Sequence, residues 1–226
     1  MSVTPEFLLR GYAFALEQCG LLLRDACELY EGESFATALV LAALAREELG
    51  RANILLGFWR RAADGESLTV EQIKAACDSH VDKQRAGMLS TVMRGTRETR
   101  LGQLLWESAK NPLHSQGWKD ARAALEQVTK KLLRSTPDER HKARMTALYV
   151  EPKSNTDWNR PADKSAKEAY EFLVDAVNDY RGRYQNGYVE SPADILKHTD
   201  PKLYRALKGM SDRPTLPIPV DPSWPE

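Results

Sequence analysis

The chain has 226 residues, 42% hydrophobic and 28% charged, and its 32 Lys plus Arg balance its 32 Asp plus Glu to a formal net charge of zero. This length suits one large domain or two small ones with a substantial core. The balance excludes a strongly basic, non-specific polyanion binder, while leaving room for a local charged patch.

The N-terminal "MSVTPEFLLRGYAFALEQCG" has no basic stretch ahead of a long apolar run, and no 18 consecutive apolar residues occur anywhere. With three cysteines (Cys19, Cys27, Cys77) of no metal-type spacing, the expectation is a cytoplasmic protein with reduced thiols and no membrane contact.

Residues 5–30 predict a first helix, with Leu8, Tyr12, Ala15, Cys19, Leu22 and Ala26 at helical spacing and Pro5 in the first turn. "EGES" breaks it. Residues 34–62 predict a second helix. On a wheel, Phe35, Ala38, Ala42, Ala45, Leu49, Ala52, Leu56 and Trp59 share one face, while Val40, Ala43, Leu44, Ile54 and Phe58 occupy the other side. A helix apolar nearly all round is central and buried. After "DGES", Thr69 and Gln72 form a capping-box pattern that opens a third helix over about 70–94. Residues 95–117 show no clear period and read as a loop with short helical pieces. A fourth helix is predicted over 118–133. Thr136, Pro137 and Glu139 then supply N-cap, first-turn and capping-box chemistry for a fifth, reaching about Tyr149. "VEPKSNTDWNRPAD" reads as a loop. A sixth helix covers 163–185, with Tyr170, Leu173, Val174, Val177 and Tyr180 as its apolar stripe. Short helices open at Ser191–Pro192 and at Pro201. The final "RPTLPIPVDPSWPE" holds five prolines in fourteen residues, which predicts an extended arm or a disordered tail.

Three stretches could carry chemistry. In the second helix, Arg46, Glu47, Glu48 and Arg51 interrupt an apolar segment. Glu47 and Arg51 stand at i, i+4 in the favourable order, which alone suggests a surface ion pair. Val40, Ala43, Ile54 and Phe58 flank Glu47, however, and a carboxylate among them requires partners. In "SHVDKQRAG", His80, Lys83 and Gln84 share a helix face, and a neutral imidazole there would serve as a general base. In "RSTPDERHKARMTALYVEP" two patterns overlap. Arg134 precedes His141 by an R-x6-H spacing, and Arg144 precedes Tyr149 with four residues between. An Arg near a His is what RNA cleavage through the 2′-hydroxyl needs, a proton carrier beside a cation that holds phosphorane charge. His114 and His198 lie near prolines and read as structural. Phosphate-loop, dinucleotide, nucleophile-elbow and zincin motifs are absent, as are a Cys/His cluster for zinc and a Glu-x-x-His pair for di-iron. No cofactor is expected.

Together these blocks resemble a known family. "FATALVLAALAREELGRANIL" resembles the helix of AbiV abortive-infection proteins that carries A-x-E-E-L-G-K, with Arg51 where Lys is usual. "SHVDKQ" resembles the H-x-x-K block that follows, and "ARMTALYVEPKSNTDWNRP" the Leu-Tyr-Val block that ends in W-x-x-P. The resemblance covers roughly residues 10–185, with order and spacing preserved. AbiV proteins are similar to the HEPN superfamily, all-α bundles of four or five helices that are commonly homodimers. Many of those are metal-independent ribonucleases using R-x4-6-H near the dimer interface. The resemblance implies an all-α HEPN-like domain over 1–190, followed by short helices and a Pro-rich arm over 191–226. It implies an anti-phage effector that cleaves RNA or arrests translation. The alternative is a non-catalytic protein that binds a phage-encoded protein or a translation component. On the ribonuclease reading, Glu47, Glu48, Arg51, His80, Lys83, Arg144 and Tyr149 would form one internal polar cluster. His80 would move the proton, Arg144 and Lys83 would hold phosphate charge, Glu47 and Glu48 would orient the cations, and Tyr149 would add a donor.

Overall fold

A computed structural model describes residues 2–87, 103–104, 110–111, 115–185, 201–202 and 205; within its helices the side chains of 125, 129–136 and 181–185 lie outside the description. Helix α1 spans Pro5–Glu31 and α2 spans Phe35–Ala63. Thr4 caps α1 through its side-chain oxygen, which accepts from the Phe7 amide at 3.2 Å. The turn between the two helices is tight. Ser34 N–H donates to the Leu29 carbonyl at 2.8 Å, and Glu33 takes a left-handed φ of 59°. So short a connection folds α1 back along α2.

Two short helices follow, α3 (Val70–Asp78) and α4 (His80–Gly87), then a long α5 (Gln116–Leu148) and finally α6 (Ala166–Gln185). Helix α2 packs against all five others. Its apolar character on every side therefore has a use on every side. The main core joins α1, α2 and α6 through residues such as Leu9, Leu16, Leu23, Leu49, Leu56, Leu173 and Val177. A smaller cluster of Leu39, Val40, Ala147 and Ala169 seats α5 and α6 against the N-terminal half of α2. Each fully buried Leu contributes roughly 1.5–3 kcal/mol.

The predicted helix over 70–94 is two helices as far as residue 87. The capping box at Thr69 and Gln72 is present, but Ser79 is extended (φ −66°, ψ 119°) and ends α3. Its hydroxyl accepts from the Asp82 amide at 3.2 Å and starts α4 in a new direction. Residues 88–94 lie outside the described residues.

The predicted fourth and fifth helices are one. Helix α5 runs through Pro137, and the Thr136–Pro137 start does not interrupt it. Loss of the Pro137 N–H removes a single hydrogen bond from a 33-residue helix. The packing of α5 on α2 and α4 outweighs that local signal. The predicted loop after α5 contains a minimal antiparallel hairpin, β1 (Glu151–Pro152) with β2 (Trp158–Asn159). Asn159 anchors it by donating to the Thr146 carbonyl at 2.7 Å.

Helix α6 begins three residues later than expected. A 3-10 turn (Pro161–Asp163) precedes it, and Ser165 with Glu168 forms the capping box that starts the helix. Cys19, Cys27 and Cys77 are free thiols. The short helices expected from 191 and 201, apart from isolated positions, and the Pro-rich arm over 213–226 lie outside the described residues, as do His114 and His198. Among the described residues, no helix is long and apolar enough to cross a membrane.

Candidate functional site

Helix α2 carries Glu47 in the middle of its length, pointing toward α4 and α5. The residue is only 2% exposed, yet its carboxylate is surrounded by donors. His80 Nδ1, from the first turn of α4, lies 2.6 Å from Oε2, and Lys83 Nζ lies 3.8 Å from the same oxygen. Arg144 Nη1, from the last turns of α5, lies 3.3 Å from Oε1. Gln84 Nε2 donates to Oε1 at 3.4 Å and to the Ala43 carbonyl at 3.0 Å, which fixes the orientation of its amide. One carboxylate thus gathers two helices onto a third.

The approach of α4 that makes this possible depends on glycine. A Cβ at Gly50 would fall 1.8 Å from the Lys83 carbonyl oxygen, and one at Gly87 would fall 2.7 Å from that of Arg46. Asn53 closes the same seam by donating to the Ala86 carbonyl at 2.8 Å. The backbones of α2 and α4 meet as closely as backbones can, and this brings the short His80 within reach of Glu47.

Glu48 turns to the side of this centre and pairs with Arg51 at 3.3 Å. Burial holds its carboxyl above the usual carboxylate range, against the opposing pull of Arg51 and Lys83. Three cations, Arg51, Lys83 and Arg144, therefore face two carboxylates. The centre keeps a positive excess, and it reaches solvent through His80, whose side chain is 48% exposed.

Of the seven residues expected to meet, Glu47, His80, Lys83 and Arg144 converge directly, and Glu48 with Arg51 forms the flanking pair. Tyr149 does not join them. It is the C-cap of α5 and 53% exposed, because the helix ends there and the chain turns extended. It belongs instead to an exposed apolar group with Leu148, Val150 and Trp158 at the base of the hairpin.

Two residues absent from the expected cluster are part of it. Gln84 is fully buried against Glu47. His141 stacks on His80, with ring centroids 5.9 Å apart and planes 23° from parallel, and its Nδ1 lies 3.3 Å from Arg144 Nη2. The signal for His141 was its i, i+3 spacing to Arg144, which places both on one face of α5. The R-x6-H spacing pointed to His141 through Arg134, whose side chain lies outside the described ones.

A second network, buried at Arg46 and Asp179 and open to solvent at Asp175, adjoins the first. Arg46 (1% exposed) pairs with Asp179 at 2.8 Å and approaches Asp175 at 3.7 Å, and Arg140 pairs with Asp175. Burial, helped by the positive charge of Arg46, pushes the Arg140 guanidinium down to about 10. Here cations and carboxylates are matched two to two, so the network ties α2 and α5 to α6 without an excess charge. Among the described residues, no group of three His, Cys, Asp or Glu side chains is arranged to hold a metal ion.

The family model for AbiV, a HEPN family, matches residues 7–200, from the first turn of α1 to beyond the end of α6. The chain belongs to the AbiV family of the HEPN superfamily. AbiV membership suggests an abortive-infection, anti-phage role, and the all-α bundle is consistent with a HEPN-like fold. No curated protein and no solved structure matches the chain.

Proposed function

We propose that this AbiV protein is a metal-independent endoribonuclease whose site is the Glu47–His80–Lys83–Arg144 centre. The observation that carries the reading is a solvent-reaching imidazole held on a buried carboxylate, beside cations in excess of the acids. Such a site attracts a phosphate and offers it a proton acceptor. The 2′-oxygen of RNA would attack the adjacent phosphorus, forming the P–O2′ bond and breaking the P–O5′ bond. His80 Nε2 would take the 2′-hydroxyl proton, with the resulting imidazolium held by Glu47. The leaving 5′-oxygen would draw its proton from water, and His80 would return its own to solvent. Lys83 and Arg144 would hold the charge that grows on the phosphoryl oxygens. Glu48 and Arg51 would keep Lys83 in place. The protein would act in the cytoplasm as a homodimer.

The test is cleavage of RNA by the purified full chain. His80→Ala in a protein of unchanged helicity should lower the rate by about 10²–10⁴. Equal cleavage by both proteins would remove His80 from the reaction, and an inert wild type would remove the enzyme reading.

One observation favours a second reading, a non-catalytic interaction protein. Leu148, Tyr149, Val150 and Trp158 are 43–61% exposed in one region, a surface suited to a phage-encoded protein or to a second copy of the chain. Phage protection that survives His80→Ala and fails on Trp158→Ser would favour that reading.

A further inference from the structure

Helix α4 is held to the bundle differently from its neighbours. Its buried residues are Lys83, Gln84 and Gly87, and none of its side chains belongs to either apolar core. What docks it on α2 is polar. His80, Lys83 and Gln84 meet the Glu47 carboxylate, Gln84 donates to the Ala43 carbonyl, and Asn53 donates to the Ala86 carbonyl. Toward α5 it presents the His80 ring, stacked on His141. Helix α3, by contrast, is anchored through Ile73 in the main core. Ser79, in extended conformation, joins the anchored helix to the unanchored one. The docked α4 also encloses the cations of the centre. The side chains of Lys83 and Arg144 are 6% and 8% exposed, against 48% for His80. An oxyanion from solvent meets the imidazole at once, but the two cations only after α4 has moved.

We propose that α4 is a hinged cover over the centre. It swings as a unit about Ser79, admits a phosphate to Lys83 and Arg144, and docks again over the bound group, returning His80 to Glu47. The phosphate rests on the ribonuclease reading; the hinge does not. Opening is cheap because the interface is polar. Buried ion pairs gain little net free energy over their hydrated partners, and release gives Glu47, His80 and Lys83 water in place of one another. The docked state also carries a penalty of its own. Gln84 Oε1 and Arg144 Nε are buried without hydrogen-bond partners among the described residues, and each such atom weakens the state that buries it. An element with few buried apolar contacts is the kind that opens below the global unfolding transition.

The experiment is amide-resolved hydrogen exchange of the full-length protein across a urea series below the unfolding transition. The amides of residues 83–87 should exchange at least about 10²-fold faster than those in the middle of α2. They should depend little on urea, because release exposes little apolar surface. Asn53→Ala removes the hydrogen bond to Ala86 without touching the Glu47 cluster, and should speed all of these amides by one shared factor of about 3–10. Exchange of α4 at the rate and urea slope of α2 would overturn the hinge. Unequal factors along α4 would do the same, since they mark fraying of its end. Access is read with Asn53→Cys and Ala86→Cys in a Cys77→Ser background, at positions that a hydrogen bond of 2.8 Å already joins. With the cross-link confirmed by mass, the oxidised protein should bind an uncleavable 2′-O-methyl RNA oligonucleotide at least about 10-fold more weakly than the reduced one. Equal binding in the two states would overturn the gating. The expected exchange in a protein that binds no RNA in either state would end the ribonuclease reading and uphold the hinge.

Discussion

Glu47 is a buried acid whose oxygens meet four donors, two of them the buried cations Lys83 and Arg144. Removing it strands both cations away from water. Glu47→Ala should therefore cost about 3–5 kcal/mol in chemical denaturation. Adding Lys83→Met should recover part of that loss, because one stranded charge leaves with it. Glu48 behaves differently. Its carboxyl is held above the usual range chiefly by burial, so the folded protein binds this proton more tightly than the unfolded chain does. The stability linked to that proton is fully present below the ordinary Glu value of about 4.3. It is lost as pH rises through the raised folded value. Glu48→Gln should then melt higher than wild type at neutral pH and together with it below about pH 4. A lower melting temperature at neutral pH would mean that the Arg51 pair outweighs the burial.

At the scale of elements, the site is a property of the seam between α2 and α4. With a Cβ 1.8 Å from a carbonyl oxygen, Gly50→Ala must push α4 away and carry His80 and Lys83 off Glu47. The expected loss is about 1–3 kcal/mol or more, read by thermal melting. Gly57 is the internal control, since it lies on an exposed face of the same helix with nothing within 4 Å of an added Cβ. Gly57→Ala should stabilise by roughly 0.5–1 kcal/mol from helix propensity alone. Similar effects from the two substitutions would show that the seam does not depend on glycine. The breaks in α3–α4 and the lack of one in α5 follow the same logic. Ser79 reorients the chain where α4 turns to pack on α2, and Pro137 fails to do so because Arg140, His141 and Arg144, just beyond it, are held by α6, α4 and α2.

At the scale of the whole molecule, Arg46 and Asp179 link the central helix to the last described one, both at 1% exposure. Asp179→Leu alone should cost about 3–5 kcal/mol, and Arg46→Met with Asp179→Leu together should cost much less, in a double-mutant cycle of denaturation midpoints. Additive losses would show that the two side chains do not act as a pair. The helical class, the centrality of α2 and the burial of Glu47 were legible in the sequence, because periodicity and composition are local and α2 is apolar on every face. The convergence of Glu47, His80, Lys83 and Arg144 was legible only as separate blocks, since no spacing joins helices that are 33 to 97 residues apart in the chain. Three things waited for the tertiary structure. Tyr149 lies outside the site because α5 ends one residue before it. His141 lies inside because α5 continues unbroken through Pro137 and brings its ring onto His80. Arg46 and Asp179 find each other because α6 folds back on α2. The sequence by itself determined which side chains could not remain buried alone. Only the packing of one helix on another decided which partners they would meet.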